Sequence, residues 1–234
     1  MQLKKIEQYI QHYKNFLKKS REYPEAYKWE SLQIFQKNWD IDAPDFGQMY
    51  NKSLENSFSR RLWKGDNFDP KTRMLQFIAL QPDFVRRMFR DLMDESKEHG
   101  TRSSRFLFGC EELLKDYKTL HRSSIENNHY HENNHMISLY LGFLFPQKYA
   151  LFFYPEFKNF MIKLGSTKVP AAFEVDRFYK ILRTLNNFLL KDEELLKVHQ
   201  RKLNPSKHYM ESTLLLAQDF YETCGREDLK IEDF

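Results

Sequence analysis

The sequence is poor in glycine and proline, with 7 Gly and 8 Pro among its 234 residues. An all-β fold needs many turns that contain these residues, so the low content argues against a sandwich or a barrel. It also argues against glycine-rich loops that wrap phosphate groups. The nucleotide-binding pattern G-x-x-x-x-G-K-[ST] occurs nowhere in the chain, which therefore lacks the motif of a P-loop motor.

Cysteines and long apolar runs are scarce as well. Cys110 and Cys224 form no metal or redox spacing motif, which indicates reduced, buried thiols in a cytosolic protein. The most apolar run extends from Met136 to Phe145, about half of the roughly 20 residues that a membrane span needs. The first residues contain no continuous apolar region, so we expect no signal peptide.

Aromatic residues are abundant, with 21 Phe and 13 Tyr, and apolar residues recur at steps of three and four. That period is typical of amphipathic helices with an aromatic core. Asp42, Asp69 and Asp192 stand where helices begin and are predicted N-caps. We predict a mainly α-helical fold of roughly ten helices with short connections.

The stretch from His135 to residue 160 is the predicted structural centre. From Met136 to Phe145 it is apolar on every side, which is typical of a buried helix. A turn at 146–148 follows. The aromatic segment YALFFY then predicts a short β element near Tyr149–Tyr154, and Pro155 suits the first turn of another helix.

Changes in composition predict the domain organisation. A helical subdomain is predicted for residues 1–122, and a polar loop without periodicity for 123–134. The central helix, the strand and the C-terminal helices occupy 135–225 in this scheme. The charged residues 226–234 are interpreted as a tail or as a linker to a domain that the sequence does not contain.

The polar loop contains His131-Glu132-Asn133-Asn134-His135, which matches H-E-x-x-H. In zinc hydrolases, two histidines one helical turn apart bind the metal and the glutamate acts as the base. The alternative is an accident of duplication, because Glu-Asn-Asn-His occurs twice in this loop, outside any amphipathic pattern. We expect no cofactor. If the zinc alternative holds, the ligands are His131 and His135, with Glu132 as the base.

Basic residues cluster in the first half of the chain beside apolar stripes. If their helices pack side by side, they form a positive face for DNA phosphates, and exposed aromatic rings there are suited to stacking on a base. The opposing interpretation is a solvated face balanced by neighbouring acids, and the net charge of +4 fits either one. The candidate nucleic-acid-binding residues are Arg60, Arg61, Lys64, Arg86, Arg87, Arg90, Arg102 and Arg105.

Several blocks together resemble a known family. The first comprises 27–46, with its continuation in 68–71 and 85–96, and the second comprises ISLYL at 137–141 and PQKYALFFY at 146–154. In these blocks the chain is similar to the N-terminal region of McrB-like AAA+ proteins of bacterial modification-dependent (type IV) restriction systems. The matching motifs are packing signatures and include no catalytic residue.

The resemblance implies a non-catalytic targeting domain in a cytoplasmic anti-phage defence complex. Its expected partners are DNA, including DNA with modified bases, an AAA+ motor domain and a nuclease subunit. Two alternatives stay open. One is a protein–protein interaction or assembly module of a defence complex, and the other is the zinc-dependent hydrolase. We expect no membrane partner. The targeting domain, which is the leading interpretation, is expected not to be an enzyme.

Overall fold

A computed structural model describes residues 3–20, 23, 25–55, 60–64, 68–122, 127–130 and 134–226. This part of the chain forms twelve α-helices, which confirms the mainly α-helical prediction. None of them is long and apolar enough to cross a membrane. The helices are α1 (Leu3–Lys19), α2 (Tyr27–Asn38), α3 (Phe46–Ser53), α4 (Arg60–Trp63), α5 (Pro70–Leu80), α6 (Pro82–Met93), α7 (His99–His121), α8 (His135–Leu144), α9 (Tyr154–Lys163), α10 (Val175–Leu189), α11 (Glu193–Lys202) and α12 (Leu215–Gly225).

The chain divides into two compact units. The terminal unit comprises Met1–Glu30 and Phe145–Phe234, and the middle unit comprises Ser31–Leu144. The boundaries therefore fall inside α2 and directly after α8, whereas the sequence placed the seam in the loop 123–134. Of that loop, residues 123–126 and 131–133 lie outside the described residues, as does the predicted tail from 227 onward.

Two of the three predicted N-cap residues do cap a helix in the structure. Asp69 accepts a hydrogen bond from the backbone N–H of Thr72 at 3.2 Å, and Asp192 caps α11 through the N–H of Leu195 at 2.9 Å. The prediction for Asp42 is wrong, because α3 begins later and is capped by Asp45. Both confirmed caps satisfy backbone donors that a helix leaves unpaired in its first turn.

The middle unit is built around α8, as the apolar run predicted. All residues from Met136 to Phe143 are buried. The hydroxyl of Tyr140 lies in a fully buried chain of hydroxyls, 2.6 Å from that of Tyr50 and 2.8 Å from that of Tyr130. The Tyr130 hydroxyl also lies 2.9 Å from the carbonyl of Pro70, which accepts its hydrogen bond. These contacts satisfy polar groups that would otherwise weaken a core of rings.

The predicted β element at Tyr149–Tyr154 is wrong. Residues 149–153 have no regular secondary structure, no strand lies beside them in the described structure, and α9 already begins at Tyr154. Side chains of α12 take the place of a neighbouring strand. Gln218 Oε1 accepts from the N–H of Leu151 at 3.0 Å, and the Tyr221 hydroxyl donates to the carbonyl of Leu151 at 3.0 Å. The backbone is thus satisfied without a sheet.

The terminal unit is organised around α12, in which every residue from Leu215 to Gly225 is buried. It packs closely on α9. A Cβ built on Gly225 would lie 2.3 Å from the carbonyl oxygen of Glu156, so only glycine permits this approach. Cys224 on α12 and Cys110 on α7 are buried free thiols, as predicted. Burial raises the pKa of both, which makes the reactive thiolate rare.

Candidate functional site

Two of the eight predicted DNA-contacting residues support the fold of the middle unit. Arg102 is buried, and its Nη1 donates to the carbonyl of Leu92 at 2.7 Å. Arg86 donates to the carbonyls of Ile41 and Ala43, the latter at 2.9 Å. Its guanidinium also lies 4.7 Å from the centre of the Phe46 ring. Both side chains are therefore engaged in holding loops and helices together.

Three more of the predicted residues lie in ion pairs with neighbouring acids. These pairs are Arg90 with Asp42, Arg105 with Asp91 at 3.5 Å, and Lys64 with Asp69 at 3.0 Å. Arg60, Arg61 and Arg87 are exposed, and Arg87 lies beside the ring of Phe84. The cluster that looks basic in the sequence is thus largely neutralised in space. Its role in DNA contact stays a prediction.

The charge balance of the two units points to a different surface. Residues 31–144 contain 16 Lys and Arg and 16 Asp and Glu, so the middle unit has no net charge. The remaining residues contain 21 basic and 17 acidic side chains and hold the whole surplus. A binding surface for a polyanion needs such a surplus, because each contact replaces a counterion of the phosphate backbone.

Three basic residues of α10 and two lysines from neighbouring loops form a basic cluster. Arg177, Lys180 and Arg183 follow one another at steps of three along this helix. Arg177 Nη2 donates to the carbonyl of Lys168 at 3.2 Å, and Arg183 Nη1 donates to that of Lys148 at 3.3 Å. These bonds place the two lysines beside the helix. We call Lys148, Lys168, Arg177, Lys180 and Arg183 the α10 basic face.

Two acidic residues at the start of α10, Glu174 and Asp176, offset part of the charge of this face. Glu174 accepts from the N–H of Ala171 at 2.8 Å and lies 3.4 Å from Arg177. The backbone hydrogen bond is the main reason why the pKa of Glu174 is lowered. Among the described residues, no carboxylate pairs with Lys168, Lys180 or Arg183. The α10 basic face therefore keeps most of its positive charge.

An exposed aromatic ring lies at one end of the α10 basic face. Phe173 stands two residues ahead of α10 and is 83% exposed, the highest value among the exposed large hydrophobic residues of the described structure. A bare ring beside cationic side chains matches the way in which many proteins hold nucleic acid, with phosphates paired and a base stacked. Sequence reasoning missed this surface because its residues are spread from 148 to 183.

The H-E-x-x-H pattern is described in part. His131 and Glu132 lie outside the described residues, so their geometry and the zinc alternative stay predictions. The Nε2 of His135 donates to the carbonyl of Leu62 at 2.5 Å, and its ring packs edge-on against Phe68. In the described ranges, no group of three or more His, Cys, Asp or Glu residues is arranged to hold a metal.

The terminal unit contains a buried ionic cluster that the sequence did not reveal. Asp219 on α12 has no solvent exposure and accepts from the hydroxyls of Tyr13 and Tyr23 at 2.5 and 2.6 Å. Lys28 is also buried and bridges the two carboxylates of α12. Its Nζ lies 3.2 Å from Asp219 and 2.6 Å from Glu222. The cluster joins α1, α2 and α12.

Burial is the largest influence on the pKa values of the tyrosines and of Glu222 in this cluster. It raises the pKa of Tyr13 and Tyr23, whose hydroxyls face the charge of Asp219. It also raises the pKa of Glu222 to about 7, although Lys28 acts in the opposite direction. Breaking one partner of such a cluster leaves an uncompensated buried charge, which costs about 3–5 kcal/mol. With its carboxylates enclosed, the cluster holds α1, α2 and α12 together and offers no accessible carboxylate.

Comparison of the chain with family models, curated proteins and solved structures found no match.

Proposed function

We propose that this chain is a non-catalytic targeting domain of an McrB-like restriction system and that it contacts DNA through the α10 basic face. The resemblance of its packing blocks to that family supports the first part. The second part is supported by one observation above all. Three exposed basic side chains on or beside α10, those of Lys168, Lys180 and Arg183, have no carboxylate partner among the described residues, and the exposed ring of Phe173 precedes the same helix. Lysine and arginine on this face neutralise phosphates, and the ring stacks on a base.

This proposal moves the expected contact from α6 and α7 to α10. On α6 and α7, Arg102 is buried and Arg86 is half-buried, while Arg90 and Arg105 are paired with acids. Arg183 of α10 also donates to a backbone carbonyl, but its side chain is exposed. A phosphate that approached those paired arginines would have to displace a carboxylate. Lys180 has no carboxylate partner among the described residues, so a phosphate can contact its ammonium group by displacing only water.

A binding titration with two matched variants tests the proposal. The change is Lys168→Ala/Lys180→Ala/Arg183→Ala on the α10 basic face, and fluorescence anisotropy is recorded with a labelled duplex at low salt. We expect the affinity to fall at least tenfold, because about three phosphate contacts are lost. The duplex is used plain, methylated and hydroxymethylated, and also as a single strand, which identifies the preferred form.

The control removes the same number of charges from the middle unit. Arg60→Ala/Arg87→Ala/Arg105→Ala alters exposed positions of the predicted cluster, and we expect it to leave the affinity unchanged within about twofold. A larger loss in the control than in the α10 variant would return the contact to the middle unit. Absence of binding to every duplex form at low salt would remove the DNA proposal.

The protein-interaction alternative has an observation of its own. Phe108 and Leu120 on α7 are 63% and 68% exposed, and aromatic and apolar side chains of this kind are suited to the core of a protein–protein interface. Under this alternative, Phe108→Ser/Leu120→Ser abolishes recovery of a motor or nuclease subunit in a pull-down, while the α10 variant retains it. Unchanged recovery with the serine variant would exclude α7 as the docking surface.

The zinc-hydrolase alternative is tested by metal analysis of protein purified without a histidine tag. It predicts about one zinc per chain that His131→Ala removes. Metal-free protein would end that alternative.

A further inference from the structure

The terminal unit contains a small pocket with a volume of about 200 Å³. It is lined by α11, by Trp29 of α2 and by the loop that connects α11 to α12. Two backbone hydrogen bonds fix this loop. The N–H of Tyr209 donates to the carbonyl of Trp29 at 3.1 Å, and the N–H of Leu214 donates to that of Pro146 at 2.7 Å. The pocket is therefore a formed feature of the fold.

His199 is the distinctive polar residue of the pocket wall. It lies on α11 and is only 7% exposed, with its ring centre 5.0 Å from that of Trp29 and 5.6 Å from that of Tyr23. Its Nε2 is buried and has no hydrogen-bond partner in the described structure. Because Nε2 is enclosed by protein, a ligand in the pocket can pair with the imidazole only through Nδ1, the ring nitrogen that is not enclosed.

The protonation state of His199 limits what it can bind. Burial lowers the pKa of His199 to about 4, although the charge of Asp219 raises it slightly. At neutral pH the imidazole is uncharged and offers one ring N–H donor and one acceptor nitrogen. The carboxylate of Glu211 also lines the pocket. Among the described residues, the pocket wall contains no lysine or arginine, so it disfavours anionic ligands.

The size and the mouth of the pocket further define its ligand. A cavity of about 150 Å³ holds benzene, and drug-sized ligands need about 300 Å³ or more. This pocket therefore suits a molecule of one or two rings and is too small for a nucleotide. Leu190 and Met210 line it and are 48% and 43% exposed, so its mouth is apolar.

We propose that the pocket binds a small neutral molecule, with an apolar body of one or two rings and a single hydrogen-bonding group that pairs with His199. Indole and phenol are the simplest members of this class. The apolar walls take up the ring system, and His199 selects for the polar group. This site does not depend on the proposed DNA contact, since its residues are separate from the α10 basic face.

Indole and indene provide a direct test, because they have the same shape and only indole carries an N–H. Binding to the full chain is measured by isothermal titration or saturation-transfer NMR. We expect saturable binding of indole on the order of 1 mM or tighter. We expect indene to bind about fivefold more weakly, which corresponds to about 1 kcal/mol for one hydrogen bond.

Three variants locate the binding. His199→Phe should keep an apolar pocket and bind the two molecules equally, whereas His121→Phe, the same change at an exposed histidine of α7, should retain the fivefold preference. Leu196→Trp fills the pocket and should abolish binding of both. Wild-type protein that shows no saturable binding, or a Leu196→Trp variant that binds as well as the wild type, would overturn the proposal. A preference for indole that survives in His199→Phe would also overturn it.

Discussion

Glu222 makes the stability of the fold depend on pH in an unusual direction. Its side chain is buried on α12, where Oε2 accepts from Lys28 at 2.6 Å and Oε1 accepts from Gln218 at 2.7 Å. Burial, reinforced by the nearby charge of Asp219, raises its pKa from 4.5 to about 7. The folded chain therefore retains a proton on Glu222 in a pH range where the unfolded chain has lost it.

The sign of the effect follows from proton linkage. Between pH 4.5 and 7 the folded state binds more protons at Glu222 than the unfolded state does, so the contribution of Glu222 to stability falls as the pH rises. That contribution is fully present below pH 4.5 and is lost as the pH passes 7. At about 1.4 kcal/mol per pKa unit, the loss between pH 5 and 8 amounts to about 2–3 kcal/mol.

The assay is urea denaturation at pH 5, 6, 7 and 8 of the wild type and of Glu222→Gln, which cannot titrate. Subtracting the two free energies of unfolding removes the contributions of all other acids. We expect the advantage of the wild type over the variant to shrink by about 2–3 kcal/mol from pH 5 to pH 8. Glu193→Gln, an exposed glutamate on α11, is the control and should leave the pH dependence unchanged.

A difference between wild type and Glu222→Gln that stays constant with pH would show that Glu222 has an ordinary proton affinity in the fold. A difference that grows as the pH rises would show that Lys28 overcomes the effect of burial. Either result would refute the reasoning.

Three further substitutions test the packing, each by urea denaturation. Gly225→Ala should destabilise the chain by about 3 kcal/mol, because its Cβ would lie 2.3 Å from the rigid carbonyl oxygen of Glu156. Gly109→Ala should change stability by less than about 1 kcal/mol, because its Cβ meets only the flexible side chain of Met88 and alanine favours the helix. Equal effects of the two changes would contradict this distinction. Tyr140→Phe should cost about 1–3 kcal/mol, because it removes the hydroxyl between two other buried tyrosine hydroxyls, and a neutral result would show that they are satisfied without it.

Local signals in the sequence predicted much of the helical framework. The run from Met136 to Phe143 is apolar on all sides, and only burial accommodates such a helix. Asp69 and Asp192 were found because an N-cap contacts a backbone N–H only three residues further along the chain. Information of this kind lies within one helical turn.

Features that depend on distant residues were missed. The helix α12 carries Gln218, Asp219 and Glu222 and looks half polar, yet it is fully buried because its partners come from α1, α2 and the segment 149–153. The segment YALFFY has the composition of a strand, but the neighbour that completes it is a helix. The hydrophobic period and the composition of a segment do not reveal whether a strand or a helix packs beside it.

The candidate site shows the same limit. Arg86, Arg90 and Arg102 lie close together in the sequence, but the carbonyls and the carboxylate that engage them are visible only in the fold. Conversely, Lys148 and Arg183 are far apart in the sequence, and a hydrogen bond between their segments brings them to one surface. A charged surface is therefore a property of packing as much as of composition.

The salt dependence of DNA binding tests the central claim most directly. For the wild type, log K against log salt concentration should fall with a slope of about −4 to −5, as expected for roughly five phosphate contacts on the α10 basic face. In Lys168→Ala/Lys180→Ala/Arg183→Ala the slope should be shallower by about 2–3. An unchanged slope in this variant, with the loss appearing instead in Arg60→Ala/Arg87→Ala/Arg105→Ala, would contradict the account.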